Sequence, residues 1–171
     1  TIVCGKVEGD FFSPKQRFAS VPSCTIFLSN PPWGEPSGGT KNLPYEKWAT
    51  AHDRFLPRRQ IAAAFAHKAL DVIQEDGRFC LILPATLLTA PTSQQFLREW
   101  LLECRIDRVI NFSDIRRLLF SEAVHPCFIV TGHRRPAGEQ GKIPYNEFID
   151  YWVPKADIGI ALGRLTLHGA D

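Results

Sequence analysis

The chain has 171 residues, 44% hydrophobic and 22% charged, with 20 basic residues against 18 acidic ones. That length supports one domain with a real core rather than two, and the composition excludes a disordered chain. No apolar run approaches the roughly 20 residues of a membrane span, no secretory signal is visible, and a net charge of +2 neither demands nor excludes nucleic acid. The five cysteines, Cys4, Cys24, Cys80, Cys104 and Cys127, form no C-x-x-C pair. Their odd number and scatter fit buried thiols in a reducing, cytoplasmic setting, not a disulfide framework or a zinc site. The arginine pairs Arg58-Arg59, Arg116-Arg117 and Arg134-Arg135 read as solvated faces.

In chain order, Thr1 to Cys4 reads as the tail of a strand. A glycine-punctuated loop then places Asp10 just before Phe11 and Phe12. Cys24 to Ser29 reads as a short strand, apolar on both faces, the pattern of a central parallel strand covered by helices. Residues 34–55 read as a long loop carrying Tyr45, Trp48, His52 and Phe55, and a connection of that length is usually functional. Pro57 to Glu75 reads as the best helix, with an apolar stripe of Ile61, Phe65, Leu70, Val72 and Ile73 and a C-cap at Gly77.

Arg78 to Leu88 is a second apolar strand, stopped by Pro84. A second helix starts near Thr92-Ser93 and buries Phe96, Leu97, Trp100 and Leu101. Ile106 to Phe112 forms a third strand, Ser113-Asp114 cap a short helical piece ending near Phe120, and Pro126 to Thr131 forms a fourth. The connection between the last two strands is too short for a long crossover helix, so they pair antiparallel. This order predicts an α/β fold: the C-terminal half of a doubly wound, Rossmann-like sheet with an antiparallel edge strand. Composition shifts after Gly132, which divides the chain into a domain part at 1–132 and an extension at 133–171 with an aromatic, extended run from Ile143 to Val153.

The chemistry centres on Asn30-Pro31-Pro32-Trp33, directly after the first strand. Each proline fixes its own φ, lacks an N–H and disfavours the helical region for the residue before it. The turn is therefore stiff and rich in acceptors, and the Asn30 side chain adds another carbonyl. Rigid acceptors beside the flat face of Trp33 suit a planar ring that carries an amino group. At the carboxyl end of a strand in an open α/β sheet, such a turn stands where ligands bind.

N-P-P-W after an apolar strand resembles the catalytic motif of the amino-directed, S-adenosylmethionine-dependent methyltransferases. Within them it most resembles the adenine-specific (N6) DNA methyltransferases of restriction–modification and phage-defence systems. G-D-F-F at Gly9 to Phe12 is similar to the segment that holds the cofactor's adenine ring. The 57–75 helix followed by G-R-F-C-L-I-L-P, and the run from Arg108 to Val130, resemble the elements that follow.

The resemblance implies S-adenosylmethionine as cofactor, with Asp10 bonding its amino group and Phe11 packing on its ring. It implies that Asn30 and Pro31 accept the hydrogens of the target amine, that Pro32 completes the turn, and that Trp33 and Phe120 stack on a flipped base. No metal is required. The partners implied are double-stranded DNA with a flipped adenine, and restriction or specificity subunits.

The family's glycine-rich cofactor loop and acidic ribose-binding residue lie upstream of G-D-F-F in relatives and are not in these 171 residues, which contain no methionine. The chain therefore reads as a fragment, inactive alone, leading towards a recognition region. Alternatives are methyl transfer to RNA guanine or protein glutamine, or a non-catalytic methyltransferase-like binding subunit. No role falls to His52, His67 or His125.

Overall fold

The computed structural model describes residues 11–12, 24–34, 36, 42–115 and 125–154. Five strands make one sheet: β1 (Cys24–Ser29), β2 (Ile73–Pro84), β3 (Cys104–Asn111), β4 (Cys127–Arg134) and β5 (Asp150–Trp152), in the spatial order β1-β2-β4-β3-β5. β1 and β2 are parallel, as are β3 and β5, while β4 runs antiparallel to both β2 and β3. The carboxyl ends of β1, β2, β3 and β5 therefore share one end of the sheet. The expected antiparallel pairing of the last two long strands is present. The antiparallel strand lies inside the sheet, between β2 and β3, rather than at its edge. Residues 150–152, beyond Gly132, continue the same sheet alongside β3.

β1 has the expected bounds. Among the described residues it is an edge strand, with Ile26 and Leu28 exposed by 64% and 72%.

Three helices cover the sheet and its end: α1 (Pro44–Ala51), α2 (Ile61–Val72) and α4 (Gln94–Glu103), with the single turn α3 (Thr86–Thr89) between β2 and α4. α1 lies inside the stretch read as a loop. Pro44 suits its first turn, and the Leu43 N–H donates to Glu46 Oε2 at 3.0 Å, satisfying one group of the helix start. Tyr45, Trp48 and Ala49 on α1 bury themselves against Phe12 and Ala64.

α2 is shorter than the 57–75 pattern at both ends. Pro57–Arg59 form a tight turn before it, with Arg58 and Arg59 in the left-handed region, and at Ile73 the chain passes straight into β2. Gly77 is accordingly not a helix cap. It lies in β2 where the register slips between Cys24↔Ile73 and Ile26↔Arg78. A Cβ there would stand 2.3 Å from Ile73 Cγ2 and 2.8 Å from the Gln74 carbonyl, so the close approach of the backbone requires glycine.

The main core lies between α2, α4 and the sheet. Ala62, Ala63, Ala66 and Ala69 bring α2 close to the strands, while Phe96 and Trp100 fill the space beneath α4 with Phe79, Leu81, Leu83 and Val130. Leu97 and Leu101 are only partly buried. Ser93 stands at the N-cap of α4 without a side-chain capping bond; its hydroxyl donates instead to the Thr86 carbonyl at 2.9 Å and ties α3 to the α4 start. The chain after β4 is fastened to α4 by Arg135, buried to 2% exposure, whose Nε donates to the Leu101 carbonyl and whose guanidinium pairs with Glu147. Among the described residues no helix is long and apolar enough to cross a membrane.

Candidate active site

β1 delivers Asn30 to the carboxyl end of the sheet. Its last residue, Ser29, is in register with Leu81 of β2, and the chain then leaves the ladder. Asn30 is exposed, Pro31 buried, Pro32 exposed and Trp33 half-buried against the main core. The two prolines stiffen the backbone on which the open Asn30 side chain sits. Trp33 Nε1 donates to the Ile82 carbonyl at 3.2 Å. Gly34 follows at φ 129°, a conformation that a side chain would strain, and nothing lies within 4 Å of where its Cβ would be.

Phe11 reaches this strand from the other side of the sequence. Its ring lies 6.1 Å from that of Phe27, three residues before Asn30, and stacks on Phe65 of α2 at 4.9 Å with the planes 14° apart. Phe12 is buried beside it, edge-on to Phe65 and packed on Trp48. The Lys68 ammonium lies 5.6 Å from the Phe11 centroid and 5.0 Å from that of Trp48, within cation–π range. Phe11 is therefore a half-buried aromatic held by β1 and α2, with Phe65 covering one face.

The structure brings Phe11 together with the strand that carries Asn30 to Trp33. Asp10 and Phe120 lie outside the described residues, as does the short helical piece expected to end near Phe120. Phe27, Phe65 and Ile82 are part of the surroundings that sequence reasoning did not single out. Phe65 was visible only as one member of the α2 apolar stripe, and a backbone acceptor such as Ile82 carries no sequence signal at all.

His52 and His67 make their contacts on the helices. His52 Nδ1 approaches the Trp48 carbonyl at 2.8 Å and its ring stacks on Trp48. His67 is wholly buried under α4, edge-on to Phe96, with Glu99 Oε2 at 3.8 Å from Nε2. That carboxylate oxygen already accepts from the Phe55 N–H at 2.9 Å. Burial above all, with help from the Arg54 guanidinium, pushes the His67 pKa down to about 3, although the Phe55 backbone works the other way.

His67 is thus neutral in the folded protein and titrates near 6.5 when unfolded. Between those values the unfolded state binds more protons, so stability falls as pH drops below the unfolded pKa. We expect His67→Leu to flatten that loss, read as a smaller difference between urea midpoints at about pH 7 and about pH 5 than in the wild type. An unchanged difference would contradict this account.

The profile of the Eco57I restriction-modification methylase family matches residues 20–117, more than half of the chain. The chain belongs to this family.

Solved structures agree on the fold. A Listeria monocytogenes protein described as a class I S-adenosylmethionine-dependent methyltransferase superposes with a TM-score of 0.53 at 14% identity, over 85% of this chain and 42% of its own. The M protein of the Type I restriction enzyme EcoKI gives 0.55 at 13% identity, over 76% of this chain and 24% of its own. A nuclease-deletion mutant of the Type ISP restriction-modification enzyme LlaGI, in complex with a DNA substrate mimic, gives 0.57 at 13% identity, over 80% of this chain and 15% of its own. The chain thus spans less than half the length of each structural relative, and at these identities the likeness is one of fold. No curated protein matches it by sequence. The mixed sheet of this Eco57I-family chain is accordingly part of a class I methyltransferase fold.

Proposed function

We propose that this chain carries the target-base pocket and part of the cofactor pocket of an enzyme that methylates the exocyclic amino group of adenine in DNA, using S-adenosylmethionine. The observation that carries this reading is the Asn30–Trp33 turn. It stands at the carboxyl end of a parallel strand, with its asparagine open to solvent and its aromatic fixed beside it. Membership of a restriction-modification methylase family supports DNA as the substrate class.

The residues present fit the cofactor. Phe11 is an aromatic surface held against β1 by Phe27 and Phe65, and we assign it to the cofactor's adenine ring, with Asp10 bonding the amino group of that ring. Bound S-adenosylmethionine supplies an electrophilic methyl group on a sulfonium.

Asn30 and Pro31 act on the other reactant. An adenine amine is a poor nucleophile because its lone pair is delocalised into the ring. In this reading the Asn30 side-chain carbonyl and the Pro31 main-chain carbonyl each accept one of its hydrogens and favour a pyramidal nitrogen, which frees the lone pair for in-line attack. As the nitrogen takes the methyl group, with the electron pair of the broken C–S bond left on sulfur, it gains positive charge that the two preset acceptor dipoles stabilise, and one of its hydrogens then leaves as a proton to solvent. Pro32 keeps the turn stiff, and Trp33, with Phe120 as a second aromatic, offers a face to a base turned out of the duplex. Positioning supplies the rest of the rate.

Offering DNA, ribosomal RNA and a release factor to the full-length protein with tritiated cofactor tests the substrate class. Label in DNA supports this reading. Label confined to RNA or protein, or no transfer at all, overturns it in favour of another amino substrate or a binding subunit.

A further inference from the structure

The acceptor turn is fastened at both ends to successive residues of one strand. On entry, Ser29 pairs in register with Leu81 of β2. On exit, the Trp33 indole N–H donates to the carbonyl of Ile82, the next residue along, at 3.2 Å. β1 has left the ladder by then, so a side-chain donor takes the place of the next backbone donor. Between the two attachments Pro31 is buried, while Asn30 and Pro32 are exposed. Immediately after the second attachment, Gly34 turns the chain at φ 129°.

We propose that Trp33 is a positioning residue as well as a base platform: its indole N–H bond to the Ile82 carbonyl is the second anchor that fixes where Asn30 and Pro31 present their acceptors. This rests on the assignment of the turn to the target base. The prolines stiffen the turn internally, but a stiff segment held at one end still swings about that end. The second anchor removes that freedom. The anchor needs an aromatic that donates: phenylalanine would offer a face and lose the bond.

Trp33→Phe separates the two roles. Misplacement of reacting groups by about 1 Å costs on the order of a hundredfold in rate, and partial loosening of the turn is expected to lower kcat by about tenfold. The KM for S-adenosylmethionine should stay within about twofold, because the anchor does not touch the Phe11 side. The comparison uses full-length protein on unmethylated genomic DNA, with rates normalised to the folded fraction. A spectroscopic readout accompanies it: the Trp33 indole N–H, assigned by its loss in the variant, should exchange with solvent more slowly than that of the half-exposed Trp152.

Asn30→Ala, assayed in parallel, keeps the two claims distinguishable. If Asn30→Ala is inactive and Trp33→Phe retains kcat within about twofold of wild type, the anchor is refuted and the pocket assignment stands. If Asn30→Ala remains active, the pocket assignment fails and the anchor with it. A rapidly exchanging Trp33 indole N–H also overturns the proposal.

Discussion

Asn30→Ala is expected to lower methyl transfer by about a thousandfold, while the Kd for S-adenosylmethionine stays within about twofold. The magnitude is that of removing one preorganised dipole from the place where charge develops, about 3–4 kcal/mol of transition-state stabilisation. The asymmetry follows from the layout of the site. Asn30 is exposed at the end of β1, whereas Phe11, assigned to the cofactor, is held by Phe27 and Phe65. Removing the Asn30 amide leaves those ring contacts intact and costs little packing. Single-turnover methylation and calorimetry on the same preparation check both halves of the expectation. Equal rates in mutant and wild type would remove Asn30 from the chemistry.

Trp100→Ala is expected to destabilise the fold by about 3–5 kcal/mol, the range for deleting a large aromatic from a packed core. Trp100 is fully buried, lies against Phe96 and Phe79 with ring centroids 5.7 and 5.4 Å away, and donates its indole N–H to the Ala66 carbonyl at 3.1 Å. It therefore joins α4 to α2 and both to the sheet. Domains are stable by only about 5–15 kcal/mol, so the loss consumes a large part of the total. Urea denaturation checks this through the midpoint, with the slope confirming a cooperative transition. Trp100→Phe keeps most of the volume and should recover more than half of the loss. A shift below about 1 kcal/mol for the alanine variant would mean that α4 is not packed as described.

Much of the fold was legible because it rests on local apolar patterns. β1 is bounded by polar residues and ends at the N-P-P-W turn, so its limits follow from chain chemistry alone. The α4 stripe of Phe96 and Trp100 and the antiparallel pairing of β3 with β4 follow from periodicity and connection length. What failed did so where a tertiary neighbour decides. α1 is hidden by flanking glycines and prolines, and its buried Tyr45 and Trp48 make sense only once Phe12 lies against them. Gly77 follows a helical pattern and reads as a cap, yet its reason is the approach of Ile73 and the Gln74 carbonyl within a slipped strand pair.

The candidate site divides in the same way. Its acceptor turn was readable because two adjacent prolines, an asparagine and an aromatic have strong individual chemistry. The parts that hold it were not. Phe65 has the same sequence signature as any other core residue, and the Ile82 carbonyl is backbone. Sequence therefore shows the candidate turn of this Eco57I-family chain more readily than the supports beneath it.

The central claim, methylation of an adenine amine in DNA, is tested most directly by the identity of the product. Unmethylated genomic DNA is incubated with full-length protein and S-adenosylmethionine carrying a deuterated methyl group, digested to nucleosides, and resolved by chromatography with mass spectrometry. The account predicts labelled N6-methyladenine, present with wild type and lost with Asn30→Ala. Label on cytosine, or N6-methyladenine formed equally well by the Asn30→Ala variant, would contradict it.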